Sequence, residues 1–114
     1  MLDVKLSHVG INSPDAQTAK NTSLPYSILT GLPVNETPVA FFAWPQVEVM
    51  KSHVRGENGN LAFSIIDIDR EICFLTSQGM EFNEESHRVD DNGKTSFIYF
   101  KNDMGGFAVH LILK

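Results

Sequence analysis

His8-Val9-Gly10-Ile11, near the start of the chain, and Asn60-Leu61-Ala62-Phe63, just past its middle, decide the fold. Both lie in runs whose apolar and polar residues fall on opposite sides at a period of two, the signature of a strand. Around the first, Val4 to Asn12 reads as a strand with Val4, Leu6, His8 and Gly10 on one face. Around the second, Asn60 to Ile66 reads the same way. A matching pair follows downstream, Val47-Glu48-Val49-Met50 in the first half and Val109-His110-Leu111-Ile112 at the end of the second.

Between these anchors the two halves carry the same order of elements. Ser13-Pro14-Asp15 is a helix start, with a hydroxyl N-cap, proline at the first helical position and an early carboxylate. The helix runs from about Pro14 toward Thr30 and closes at Gly31-Leu32-Pro33. Pro25 removes one intrahelical hydrogen bond, which predicts a kink, or an end near Leu24 and a further short turn. Short strands are expected over Val39 to Trp44 and Val47 to Lys51, joined through Pro45. Arg55-Gly56-Glu57-Asn58-Gly59 is a polar linker. Beyond the second anchor, Asp67 caps a helix in which Ile68, Ile72 and Leu75 keep helical spacing, and Gly79 suits its C-terminus. Strand-like Met80-Glu81-Phe82 precedes a hairpin from about Glu85 to Phe100, turning at Asp91-Asn92-Gly93. A last strand covers Phe107 to Leu113. Strand, helix, then two or three strands thus occurs twice. The fold class is α+β: two βαβββ modules, residues 3–54 and 58–114, forming a curved mixed sheet around a central cleft with the helices outside.

Composition narrows the functions this fold can serve. With 114 residues, 42% of them hydrophobic and 20% charged, the chain suits one globular domain with a real core. A net charge of −5 and scattered basic residues argue against nucleic acid, whose binding needs clustered Lys and Arg. The lone Cys73 excludes an internal disulfide and suits a reducing cytosol. Met1-Leu2-Asp3-Val4-Lys5 lacks the apolar run of a signal peptide, and no stretch approaches the roughly 20 apolar residues of a membrane span. A cytoplasmic protein is expected.

The anchors, together with Gly105-Gly106-Phe107-Ala108-Val109-His110-Leu111, resemble the vicinal oxygen chelate superfamily of glyoxalases, bleomycin-resistance proteins and dioxygenases over nearly the whole chain. A narrower resemblance rests on Val47 to Ser52, Gly79 to Ser86 and Ile98 to Asp103. These stretches look like the glyoxalase-like domains associated with bacterial 2-keto-3-deoxy-6-phosphogluconate and 4-hydroxy-2-oxoglutarate aldolases. The aldolase barrel cannot fit in this chain, so aldolase activity is not implied.

The resemblance implies metal or ligand positions on four strands, here His8, Glu48, Asn60 and His110. The residues support one shared face: His8 lies beside Gly10, Asn60 beside Ala62 and His110 beside Ala108, small neighbours that leave room for a ligand. The opposite face carries Val9, Ile11, Leu61, Phe63, Val109 and Leu111 for burial under the helices. Two positions depart from the family pattern. Asn60 stands where histidine is common, and His110 stands where glutamate is common. His8, Glu48 and His110 remain as a two-histidine, one-carboxylate set suited to Fe(II), Mn(II), Ni(II) or Zn(II), with Glu48 as ligand or catalytic base. Without a metal, the same histidines are hydrogen-bonded within a polar cavity, Glu48 paired to one of them.

Three functions are consistent with this reading. The first is a binding domain for an oxygenated metabolite, a keto acid or sugar acid, accessory to sugar-acid aldolase metabolism. The second is a metal-dependent lyase or isomerase of glyoxalase type, in which chelation of two vicinal oxygens stabilises an enediolate. The third is a drug-sequestering resistance protein. A homodimer is expected, with the modules pairing within a chain or across two. Cys73 is expected to be a small core residue, His53 and His87 to be exposed, and Glu81, Glu84 and Glu85 to form a solvated face. Most of Phe41, Phe42, Trp44, Phe97 and Tyr99 are expected in the core, with one or two lining the pocket.

Overall fold

A computed structural model describes residues 4–114. The readings that rest on Met1 to Asp3, namely the N-terminal sequence and the first module's start, lie outside the described residues. The chain forms β1 (Lys5–Ile11), α1 (Ala16–Thr30), β2 (Asn35–Glu36), β3 (Ala40–Trp44) and β4 (Val47–Met50). It then repeats that order as β5 (Gly59–Ile65), α2 (Ile68–Ser77), β6 (Phe82–Val89), β7 (Thr95–Phe100) and β8 (Phe107–Leu113). The eight strands make one mixed sheet in the order β2-β3-β4-β1-β5-β8-β7-β6.

The two modules join within one chain, through antiparallel pairing of β1 with β5. On either side of this seam the pairing is parallel, β1 with β4 and β5 with β8. Parallel neighbours need a crossover, and each module supplies one through its helix and following strands. The alternation read from sequence decides which face each helix covers. Under α1, Ala19 meets Phe41 and Val49, with Ile11, Val34 and Val47 around them. Under α2, Ile65, Ile68, Ile98 and Leu111 form a second cluster edged by Phe63, Ile72, Leu75 and Phe100. Burying each such Ile or Leu contributes about 1.5–3 kcal/mol. Both helices therefore sit on one side of the sheet, and the other side is left for the polar residues.

Three local expectations change. The N-cap of α1 is Asp15, whose carboxylate accepts from the Thr18 amide at 2.7 Å, and Ser13 lies buried ahead of it. The helix continues through Pro25 to Thr30, where left-handed Gly31 (φ 72°) closes it by donating to Ser27 O. Proline costs one backbone bond, and packing of α1 on β3 and β4 holds the remaining turns together. Cys73 is exposed, not a core residue. The buried stripe of α2 runs through Ile68, Ile72 and Leu75, and a residue one step beyond Ile72 turns about 100° away from it. Asp67 caps α2 as expected, accepting from the Arg70 amide.

Candidate functional site

The strand register arranges the four sequence-predicted residues in two rows on the helix-free face. Glu48, Gly10, Asn60 and Ala108 are successive partners across β4, β1, β5 and β8. One step along, His8, Ala62, His110 and Tyr99 are partners across β1, β5, β8 and β7. His8 and His110 stand on strands two apart, a backbone separation of about 10 Å. Their rings lean together over the small side chain of Ala62, and their centroids lie 5.8 Å apart. His8 Nε2 is also 3.7 Å from Glu48 Oε1, in ion-pair range but too far for a hydrogen bond.

His110 is 5% exposed, walled by rings rather than by polar groups. Phe97 stacks on it at 4.8 Å and 28°, and Tyr99 tilts against it at 4.8 Å. Burial, with the nearby His8 adding to it, pulls its pKa down from 6.5 to about 4. The ring is therefore neutral at pH 7, one nitrogen a donor and the other an acceptor. Its Nδ1 is buried and has no hydrogen-bond partner. An orphaned buried group of this kind costs about 1–3 kcal/mol, and such costs collect at sites that meet a ligand or an ordered water.

Asn60 differs from its expected setting. Space beside His8 on β1 is present because residue 10 is glycine, but the Asn60 amide already occupies it. A Cβ built on Gly10 would fall 2.4 Å from Asn60 Nδ2. Asn60 is accordingly buried at 5% exposure. Of the aromatic residues, Phe41 packs under α1. Phe42 and Trp44 line an apolar hollow of about 510 Å³ with Leu32 and Pro33. Phe97 and Tyr99 face His110.

Phe97 and Tyr99 also line a hollow of about 510 Å³ with Arg55, Glu85, Ser86, Arg88 and Ser96. The Arg55 guanidinium lies over the Tyr99 ring, 4.6 Å from its centroid. Burial pushes the Tyr99 hydroxyl up, Arg55 pulls it back, and the Glu48 carboxylate pushes it further up. Sequence reading missed both arginines. Arg55 reads only as part of a glycine-bearing linker, and no spacing rule ties it to β7.

The donor chemistry of His8, Glu48 and His110 suits a divalent transition metal. As placed they do not form a metal-holding cluster: among the described residues no three His, Cys, Asp or Glu side chains do. No chemical step is therefore assigned to a metal here. His53 and His87 are exposed, as are Glu81, Glu84 and Glu85. His87 Nε2 lies 2.7 Å from Thr95 Oγ1. Among the described residues no helix is long and apolar enough to cross a membrane.

No family model and no curated protein matches the sequence. Solved structures do match the fold. A hypothetical protein from Bacillus halodurans C-125 superposes with a TM-score of 0.60 at 15% identity, covering 98% of this chain and 95% of its own. Methylmalonyl-CoA epimerase from Mycobacterium tuberculosis gives 0.57 at 21% identity, with 95% and 86% covered. A methylmalonyl-CoA epimerase in complex with methylmalonyl-CoA and ammonium gives 0.58 at 14% identity, with 97% and 94% covered. At such identities the likeness is one of architecture: the chain has the fold seen in methylmalonyl-CoA epimerase.

Proposed function

We propose that the helix-free face around His8, Glu48, Asn60 and His110 binds a small oxygenated acid, a keto acid or sugar acid. The chain would then serve as a small-molecule-binding domain. The observation that carries this reading is His110, an imidazole buried at 5% exposure with its Nδ1 unpartnered, on a face no helix covers. The neutral His110 imidazole donates to a carbonyl or accepts from a hydroxyl without requiring charge. The sequence resemblance to domains associated with sugar-acid aldolases supports that substrate class and an accessory role beside such enzymes. One epimerase of this fold is described with a bound acyl-CoA, which is consistent with a ligand in the cleft. Calorimetric titration with α-ketobutyrate and with gluconate tests the reading. Binding of either acid, weakened at least tenfold in a folded His8→Ala/His110→Ala protein, is expected. Absence of binding, or equal binding by the variant, refutes it.

A second reading is a metal-dependent lyase or isomerase of glyoxalase type. It is favoured by the 3.7 Å approach of His8 to Glu48 beside a second imidazole. Its test is titration of chelator-treated protein with Mn(II), Fe(II), Ni(II) and Zn(II), beside Asn60→His, which restores a fourth strong donor. Tighter metal binding by Asn60→His is expected if the four positions converge on one ion. Unchanged affinity removes the reading.

A further inference from the structure

The hollow beside Tyr99 is basic in an acidic protein. The chain carries a net charge of −5 and three arginines, of which Arg55 and Arg88 both line it. Each comes from a different element. Arg88 is the partner of Phe97 across the β6–β7 pair, so it stands on the same face as the His110 wall. Arg55 reaches the same place from the linker between the modules. Its guanidinium spends its flat face on the Tyr99 ring, 4.6 Å away. Stacking uses the π-face and leaves the in-plane N–H groups, whose fork matches a carboxylate in bidentate geometry. Neither arginine is in an ion pair among the described residues. Arg88 donates through Nη1 to the carbonyls of Glu85 and His87, which fixes its position without neutralising it. Ser86 and Ser96 line the same hollow, and the exposed Glu85 carboxylate is the one acidic group there.

At the other end of the shared aromatic wall the sign is opposite. Glu48 stands beside His8, and its carboxylate repels an anion placed there. The face is therefore polar along its length, cationic at Arg55 and Arg88, with the neutral His110 ring and the Glu48 carboxylate toward the other end. We propose that Arg55, supported by Arg88, receives the carboxylate of the ligand, and that this contact orients the uncharged oxygen substituent toward His8 and His110. The assignment rests on the ligand-site reading above and adds to it a specificity-determining residue outside the four strand positions. It makes the preferred ligand a free acid, with esters and amides of the same skeleton rejected.

Protein carrying ¹³C/¹⁵N-labelled histidine is titrated with α-ketobutyrate and with its methyl ester, in wild type, Arg55→Lys and Arg55→Met. Circular dichroism confirms folding of each, and Arg55 is an exposed linker residue that the core does not need. In the wild type the acid is expected to shift the His8 and His110 signals with at least tenfold higher affinity than the ester. Arg55→Met is expected to bring the acid down to the ester's affinity, and Arg55→Lys to fall between. Full discrimination kept by Arg55→Met, or equal affinity for acid and ester in the wild type, overturns the Arg55 assignment and leaves the ligand site standing. Silence of both histidines toward both probes overturns the site itself, and this assignment with it.

Discussion

The amide of Asn60 fills the volume that a side chain at residue 10 would need. A Cβ on Gly10 would lie 2.4 Å from Asn60 Nδ2 and 2.8 Å from its Cγ. The two residues are direct partners across the β1–β5 seam, so this contact sits where the two modules join. Glycine here answers to a neighbour rather than to a turn.

Gly10→Ala is therefore expected to displace the Asn60 side chain and destabilise the fold by about 1–3 kcal/mol. In an Asn60→Ala background the same substitution no longer meets the amide that is its nearest neighbour. A double-mutant cycle in urea is expected to return a coupling of about 1 kcal/mol or more. Additive effects would show that the two side chains do not compete.

His110 predicts a pH dependence whose sign follows from burial. Its folded pKa of about 4 lies below the ordinary value of 6.5. The unfolded chain then binds more protons between these values, so stability is full above pH 6.5 and falls as pH drops toward 4. The loss attributable to this one group is at most about 3.4 kcal/mol. His110→Phe keeps the stacking with Phe97 and is expected to flatten the profile in that window, as read by urea midpoints against pH. An unchanged slope would assign the dependence to other groups.

Thr95 ties α2 to the second half of the sheet. It is 1% exposed, its amide donates to Asp69 Oδ2 at 2.9 Å, and its hydroxyl donates to Asp69 Oδ1. These bonds hold the Asp69 carboxyl below its usual range. Thr95→Val keeps the shape and removes the hydroxyl, with an expected loss of about 1–2 kcal/mol. Thr95→Ser, measured in the same denaturation series, is expected to stay within about 1 kcal/mol of the parent.

Cys73 gives a direct check on the orientation of α2. Its exposure predicts that the folded protein reacts with one equivalent of Ellman's reagent without denaturant, at a rate close to that of an unhindered thiol. Reaction only after unfolding would return Cys73 to the core.

Much of this architecture is legible in the residues because period-two alternation recurs at four places. Val9, Ile11, Phe63 and Leu111 alternate with His8, Gly10, Ala62 and His110, and that alternation fixes which face the helices cover. The convergence of His8, Glu48, Asn60 and His110 on the other face follows from the repeat. Local rules failed where tertiary contacts outweigh them. The helix end expected near Leu24 does not occur: α1 runs through Pro25 to Thr30, anchored on β3 and β4 and capped, as its sequence suggests, at Gly31. Cys73 was misplaced because one residue of phase on a short helix turns a side chain from the sheet to solvent. Arg55 was invisible as a site residue because its partner, Tyr99, is distant in sequence and reached only after the second module folds back.

Mapping amide chemical shifts on titration with α-ketobutyrate tests most directly whether the helix-free face is a ligand site. Perturbations are expected to concentrate on Gly10, Asn60, Ala62, His110 and Tyr99, the residues in and around the two imidazoles. Shifts confined to the Phe42 and Trp44 hollow or to the helices, or no shifts at millimolar acid, would contradict that expectation.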